Sequence, residues 1–380
     1  MADYANLPKD TLQEITKFLS FSDYIKFGAV CSQWYDMAKE RHQFFQKQLP
    51  WLLFFDNNSP KLFDPSEEKV YQIEIPELQG RRCVSSSHGW LITIDLNVNL
   101  NLLNPLSKAQ VKLPKLPFDT SNDRSRNHNE CFWLATPEER RDQFVYKAVL
   151  STDPCKGNDY IVMVIYYAHF KLAFWRPGDL TWTMINSDFY LEDIIWCSGA
   201  FYVVGSSNQV CLVELGMDNK LIKISSQDTF YFQGLEKYLV DFMGDLILVF
   251  KDYFYNNENG TEDDSNEGNY DNGYRTGNFI LFKLDRKDKK FIELKDINGY
   301  ILILGSNQAV LIPTIDLVDK TKDNLIFFSD DFMHGSHKYG YIDSGAYNIR
   351  DKRITLFPLS KIYNLTKKPI FIDVNHVTLY

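Results

Sequence analysis

The sequence predicts a mainly β fold: a degenerate β-propeller of six or seven blades with a small three-helix unit ahead of it. Two observations carry this. Past Trp51 the apolar residues fall into runs of strand length with a period of two, whereas before Pro50 they recur with a helical period. The strand-like runs also come in sets of four, each set taking about 30–50 residues, which is the spacing of propeller blades. A two-sheet sandwich uses seven or eight strands, so more than twenty would need a second sandwich, and no linker separates one. Aromatics make up 15% of the chain, with 28 Phe and 22 Tyr, a bias that favours strands.

The helical unit comes first. Leu12, Ile15, Phe18 and Leu19 recur near a 3.6 spacing. Pro8 and Asp10 stand where a helix starts, because proline tolerates the first turn and aspartate accepts its free N–H groups. Ser20 to Asp23 breaks this helix. Ile25, Phe27, Ala29, Val30, Trp34 and Ala38 predict a second one. A third is expected over about residues 40–48, closed by Pro50. Three short helices bury little by themselves and need a partner or a neighbouring domain.

The strands follow. Trp51–Phe55 and Lys69–Ile75 bracket a turn-rich segment, 56–66. Arg82–Ser86, Gly89–Ile94, Val98–Leu103 and Gln110–Leu113 form the clearest set. Runs at 144–150, 160–167, 172–175 and 182–185 form the next, and those at 194–197, 200–204, 210–214 and 221–224 another. The pattern continues at 237–241, 245–250, 279–284 and 291–294, then at 301–304, 309–312, 325–328, 340–347 and 353–357. Antiparallel pairing is the economical way to join such short strands. Closing into a ring protects their edges. The stretch 253–277, YFYNNENGTEDDSNEGNYDNGYRTG, is acidic and nearly free of aliphatic residues, and is expected to be a disordered loop between two strands of one blade. Residues 118–129 read as a second polar connection. The expected domains are therefore 1–48 and 51–380.

Composition excludes several functions. A net charge of −9 argues against a nonspecific nucleic-acid or anionic-membrane surface. No apolar run is long enough to span a bilayer, and no basic segment with an apolar run opens the chain. The six cysteines are scattered, without a close CxxC pair, and read as reduced and mostly buried. No GxSxG, HExxH, GxxxxGK[ST] or Rossmann fingerprint is present. His334 and His337, in HGSH just after Asp330-Asp331, lack companion ligands at a fixed spacing and read as turn residues. Cys83, His88 and Asp95 are not brought together by strand and turn geometry, and a buried thiol is the plainer reading. No catalytic residue, cofactor or metal is implied.

Residue identity adds a resemblance. Leu7-Pro8, Ile15, Leu19, Asp23, Val30-Cys31, Trp34 and Ala38 stand where they stand in an F-box, over residues 3 to about 48. Tyr4 replaces a frequent Trp. The body, in CVSSSHGWLITID, LNLLNPLSKAQVKLPKLP, AFWRPGDLTW, FKLDRKDKKFIELKDINGYILILGSN and LIFFSDD, resembles the C-terminal domain of a large plant F-box family, domain of unknown function 295. The resemblance implies a partner, the Skp-type adaptor of cullin-RING ubiquitin ligases. Leu7, Pro8, Ile15, Leu19, Val30, Cys31 and Trp34 would form the adaptor interface or hold it in shape. It further implies the substrate-recognition subunit of a Skp–cullin–F-box ligase, with the propeller holding a target protein and ubiquitin chemistry carried out on other subunits. Trp90, Trp175 and Arg176 are the candidates for the substrate face, Trp175 having the alternative of packing between blades. A non-degradative binding or sequestering module is the competing class. Nucleus and cytoplasm are not distinguished.

Overall fold

The computed structural model describes residues 7–16, 19, 23, 27–28, 30–42, 49–105, 107–117, 136–166, 171–225, 235–255, 274–317, 323–331, 343–365 and 367–373. Among the described residues, α1 (Lys9–Thr16) and α2 (Ser32–His42) lie ahead of the strands. Leu12 N donates to Pro8 O at 3.1 Å, so the first helix starts where proline and aspartate predict. The second expected helix is divided. Asp23, Phe27 and Gly28 are helical, the chain bends at Val30, and α2 begins at Ser32. The apolar run across Val30 concealed this break. Part of the third expected helix belongs to α2, and 43–48 lies outside the described residues.

Six sheets follow among the described residues. The first holds β1 (Trp51–Asp56), β2 (Ser59–Asp64) and β3 (Lys69–Gln72). The second holds β4 (Arg82–Ser87), β5 (Trp90–Ile94), β6 (Leu100–Leu103) and β7 (Gln110–Lys112). A short helix, α3 (Pro137–Phe144), leads to the third sheet, with β8 (Val145–Leu150), β9 (Val162–Tyr166), β10 (Lys171–Trp175) and β11 (Thr183–Asn186). The fourth has β12 (Leu191–Cys197), β13 (Ala200–Gly205), β14 (Val210–Glu214) and β15 (Lys220–Lys223). The fifth has β16 (Glu236–Phe242), β17 (Asp245–Tyr255), β18 (Tyr274–Asp285) and β19 (Lys290–Leu294). The sixth has β20 (Tyr300–Leu304), β21 (Val310–Pro313), β22 (Leu325–Phe328), β23 (Gly345–Asn348) and β24 (Ile354–Leu356). After the one-turn helix α4 (Leu359–Ile362), β25 (Ile370–Ile372) returns to pair antiparallel with β1. The fold is a six-bladed propeller whose last strand completes the first blade.

Alternation of side chains explains why the middle strands look continuously apolar. In β9, Val162, Val164 and Tyr166 pack toward the second sheet, while Met163 and Ile165 pack toward the fourth. In β17, Leu246, Leu248 and Phe250 face the fourth sheet, and Ile247 and Val249 the sixth. In β1, Trp51, Leu53 and Phe55 join the second sheet, and Leu52 and Phe54 the sixth. Each sheet thus buries both faces, so its central strands show no polar side. The outermost strands β7, β15 and β19 are mostly half-buried or exposed.

The turns between the first two strands of a sheet need two residues with positive φ, the primed hairpin geometry. His88-Gly89 (φ 51°, 75°), Ser198-Gly199 (50°, 84°) and Met243-Gly244 (55°, 92°) supply it in three sheets.

Several expectations are corrected. The segment 56–66 contains β2, whose Leu62 and Phe63 are buried; its Pro and Ser residues disguised a strand. The loop expected at 253–277 is shorter at both ends. Tyr253, Phe254 and Tyr255 pair with Thr276, Arg275 and Tyr274, and 256–273 lies outside the described residues. Antiparallel pairing is not universal: β20 pairs parallel with β22, since β21 folds back on its other side. The helix α3 was not foreseen, although Thr136 and Glu139 form a reciprocal capping box. Nor was β25, whose three apolar residues are too few for a periodic signal. The connection at 118–129 lies outside the described residues.

Gly345 sits where the β23–β24 pair leaves no room: a Cβ there would lie 2.4 Å from Thr355 O and 2.9 Å from Leu356 Cα. Gly345→Ala is therefore expected to lower stability by about 1–3 kcal/mol, the usual cost of overpacking. Chemical denaturation of the variant beside the parent measures it, and unchanged stability would show that the outer strand yields freely.

Candidate functional site

Two regions present unusual side chains: the helical segment and the propeller axis. In the helical segment Leu12, Phe27 and Met37 are buried, with Leu7, Ile15, Leu19 and Trp34 half-buried against them. The Phe27 and Trp34 rings lie 4.5 Å apart. Gln33 Nε2 donates to Leu7 O at 2.9 Å, tying the entry strand to α2. Of the seven expected adaptor-facing residues, Pro8 and Val30 are exposed, Val30 at 56%, while Leu7, Ile15, Leu19, Cys31 and Trp34 are half-buried. Of these, Leu7, Ile15, Leu19 and Trp34 pack around the small core. Trp34 Nε1 has no hydrogen-bond partner among the described residues.

The axis is lined by the innermost strands, and polar residues interrupt them. Lys147 of β8 lies 2.9 Å from Asp193 of β12, and Asp193 accepts from Leu239 N of β16 at 2.7 Å. One carboxylate thereby links three blades. Lys237 pairs with Glu192 at 2.5 Å and donates to Ser206 O at 3.0 Å. Lys251, fully buried, donates to Asp331 at 3.2 Å and Ser329 O at 3.3 Å. Tyr238 donates to Asp331 at 2.9 Å, and Lys368 to Asp331 O at 2.9 Å. Tyr274 donates to Asp330, whose Oδ2 accepts from Asp343 N at 3.2 Å. These pairs satisfy charges that would otherwise be costly to bury.

Burial works against the Lys251 cation, but the carboxylates of Asp331, Asp343 and Asp330 outweigh it and hold its pKa above the ordinary value. Burial pushes Asp193 up against the opposing pull of Lys147. Burial raises Asp330 to about 6, with Tyr274 lowering it and Asp343 adding to the rise. Glu236 rises to about 7 through burial and the neighbouring Asp331. Lys368 falls to about 8 through burial and Arg82.

The turn between β20 and β21 crosses the axis. Ser85 Oγ donates to Ser306 O at 2.8 Å, Gln308 N to Ser86 O at 2.9 Å, and Lys147 Nζ to Gly305 O at 3.3 Å. Gly305, at φ 156°, is required because a Cβ would stand 2.1 Å from Ser329 Oγ.

Of the expected substrate-face residues, Trp90 is corrected, and Trp175 takes its alternative place between blades. Trp90 is buried between the second and third sheets, and its indole donates to Asp153 at 3.0 Å. Trp175 is buried in the same core and donates to Asp179 O at 2.9 Å. Large aromatic rings on central strands fill the gap between blades, so neither is available on a face. Arg176 is exposed, its guanidinium 4.9 Å from the Phe174 ring. The axial ion pairs and the crossing turn were missed. Their signal was a charge inside an otherwise apolar inner strand, as in VYKAVL, LEDIIWC and EKYLVDF.

Cys83 is buried in β4, and burial pushes its thiol up to about 12, which leaves it inert as a nucleophile. Asp95 accepts from Asn97 N and Asn99 N, both at 2.9 Å, and shapes a turn. His334 and His337 lie outside the described residues. Among the described residues no group of three His, Cys, Asp or Glu could hold a metal, and no helix is long and apolar enough to cross a membrane.

Comparison with known proteins places this geometry. A family described as KIB1-4 beta-propeller matches residues 62–348, and an F-box-like family matches 4–48. F-box protein SKIP23 of Arabidopsis thaliana is 26% identical over 97% of this chain and 93% of its own length. F-box/kelch-repeat protein KIB1 of the same plant is 22% identical over 91% of this chain and 81% of its own length.

The axial carboxyls set a pH dependence. Asp330 and Glu236 have folded-state values above their ordinary ones. Their contribution to stability is therefore complete below about pH 4 and is lost as pH rises through about 6 to 7. Asp330→Asn is expected to flatten this part of the stability–pH curve by on the order of 2 kcal/mol between pH 4 and 7. Urea unfolding across that range checks it; an unchanged slope would show that Asp330 titrates normally.

Proposed function

The chain belongs to the KIB1-4 beta-propeller family, and from that premise we propose that it is the substrate-recognition subunit of a Skp–cullin–F-box type ubiquitin ligase. The observation that carries this is the small helical core. Among the described residues its apolar cluster draws only on Leu7, Leu12, Ile15, Leu19, Phe27, Trp34 and Met37 and leaves Val30 exposed, so the helices present an apolar rim that suits a partner. On this reading residues 1–48 bind a Skp-type adaptor through Leu7, Pro8, Ile15, Leu19, Val30, Cys31 and Trp34. The half-buried Trp34 ring, 4.5 Å from Phe27, suits an aromatic anchor at the edge of an interface. Residues 51–380 form the propeller, equivalent to plant domain of unknown function 295, and hold a target protein. Arg176 remains a candidate for that contact.

The contribution of such a subunit is effective concentration and orientation, with the bond-forming chemistry carried by other subunits. No cofactor, nucleic acid or membrane enters this reading, and the place of action is the nucleus or cytoplasm. The same geometry serves a module that binds the adaptor and sequesters a partner without degradation. Reconstitution with adaptor and cullin separates the two, because only the first supports assembly with the cullin.

Removing residues 1–48 is expected to abolish adaptor binding while leaving a folded, strand-rich body. Pulldown with purified adaptor and far-UV circular dichroism measure the two properties, and retained binding at parental affinity would overturn the assignment. Within the helices, Leu7→Ala with Pro8→Ala is expected to weaken binding by about 1–3 kcal/mol, the scale of one buried Leu. Titration calorimetry reads that loss. Affinity within about twofold of the parent, a difference near 0.4 kcal/mol, with a lowered melt would make Leu7 a local staple instead.

A further inference from the structure

The two longest strands, β17 and β18, run 11 and 12 residues, while the others among the described residues run seven or fewer. Their ladder is interrupted once. Asp252 pairs with Asn278 and Tyr253 with Thr276, so Gly277 is an extra residue and forms a β-bulge. Beyond it three pairs remain, 253–255 with 274–276. So short a ladder can open locally while the longer part of the sheet stays intact.

Side-chain bonds to the neighbouring sixth sheet hold this strand end. Thr276 N donates to both oxygens of Asp343, each at 3.0 Å, and Thr276 Oγ1 donates to Oδ2 at 2.5 Å. The Tyr274 hydroxyl donates to Asp330. Asp343 N in turn donates to Asp330 Oδ2 at 3.2 Å, and Asp330 N donates to Ser344 Oγ at 2.9 Å. The grip therefore rests on two neighbouring carboxylates, and both are buried.

The charge around them does not balance. Asp330, Asp331 and Asp343 are buried together with Lys251, whose ion pair goes to Asp331 at 3.2 Å. Asp343, Lys251 and the Tyr274 hydroxyl face Asp330. Further round the axis, Asp331 meets Tyr238 and Lys368, Glu236 accepts from Tyr146 at 3.3 Å, and Arg82 acts on Lys368. A carboxyl that takes up a proton relieves the excess. Burial raises the Asp330 pKa to about 6 against the Tyr274 hydrogen bond, and Asp343 adds to the rise.

We propose that Asp330 and Asp343 form a proton-operated clasp on the end of the β17–β18 hairpin. It is closed while Asp330 carries a proton and loosens when that proton leaves. Two buried carboxylates then face each other, and water relieves them once the strand end parts. The ring itself stays closed. The clasp is a conformational device of the body and does not depend on the ligase reading.

The closed state binds the proton more tightly than the open one, where Asp330 returns toward its ordinary value near about 4. Its closing contribution is complete below about pH 4 and is lost as pH rises through about 6. With these two values the opening constant rises about tenfold from about pH 5 to pH 7.

Hydrogen–deuterium exchange of the full-length chain reads that opening, each rate being divided by the intrinsic rate at the same pH. The amides of 253–255 and 274–276 are expected to lose about tenfold in protection from about pH 5 to pH 7. Amides of β12 and β13 serve as the internal reference and are expected to stay better protected throughout. Asp330→Asn, which cannot ionise, is expected to level the hairpin's protection across this range. Thr276→Val, which lacks the Oγ1 donor to Asp343, is expected to lower it at every pH, and Thr276→Ser to restore it. The parent measurement stands by itself should a variant fail to fold. Hairpin protection that does not change with pH overturns the proposal. So does a change shared equally by β12 and β13, a change that survives Asp330→Asn, or parental protection in Thr276→Val.

Discussion

The pairing of Ile370–Ile372 with Trp51–Leu53 is the constraint on which the body depends. Every sheet of this chain buries both faces, so every sheet needs a neighbour on each side. An open row of six would leave two apolar faces in water, those of the first and last sheets. The returning strand fastens the end of the chain to its beginning. Its side chains then divide between two cores. Ile370 and Ile372 join the interface of the first and second sheets, and Phe371 joins that of the sixth and first. Closing the ring brings those two outer faces together and leaves only the short outermost strands as edges.

Closure also brings six inner strands around one axis, and this creates the electrostatics. Residues far apart in sequence meet there: Lys147 with Asp193, Tyr238 and Lys251 with Asp331, Lys368 with the Asp331 carbonyl. Each pair joins different blades, and a buried partner left alone would be costly. The ion pairs therefore keep these blades in step chiefly because separating a pair would leave a buried charge alone. The crossing turn at Gly305–Gln308 ties the sixth sheet to Ser85, Ser86 and Lys147 across the axis.

The helical segment follows different physics. Among the described residues its apolar core rests on three buried side chains, Leu12, Phe27 and Met37, whereas the body has six extensive cores. A segment with an unfinished apolar surface next to a body that is fully closed divides the labour. The first leaves Val30 exposed among its described residues, and the second buries its sheet faces within its own ring.

Fold class was legible in the sequence because strand length, sets of four and turn residues such as His88-Gly89 are local properties. The helical start at Pro8 was legible for the same reason. Local signals failed where a neighbour supplied the reason for the structure. Ser59–Asp64 is a strand because β1 and β3 flank it, and β25 exists because β1 has an open edge. The parallel β20–β22 pair depends on where β21 folds. Trp90 and Trp175 looked like surface anchors, yet lie between blades, since the sequence does not show which gap a ring fills. The axial network was hidden most completely. Lys251, Asp331 and Lys368 sit in three separate parts of the chain, and only closing the ring brings them together.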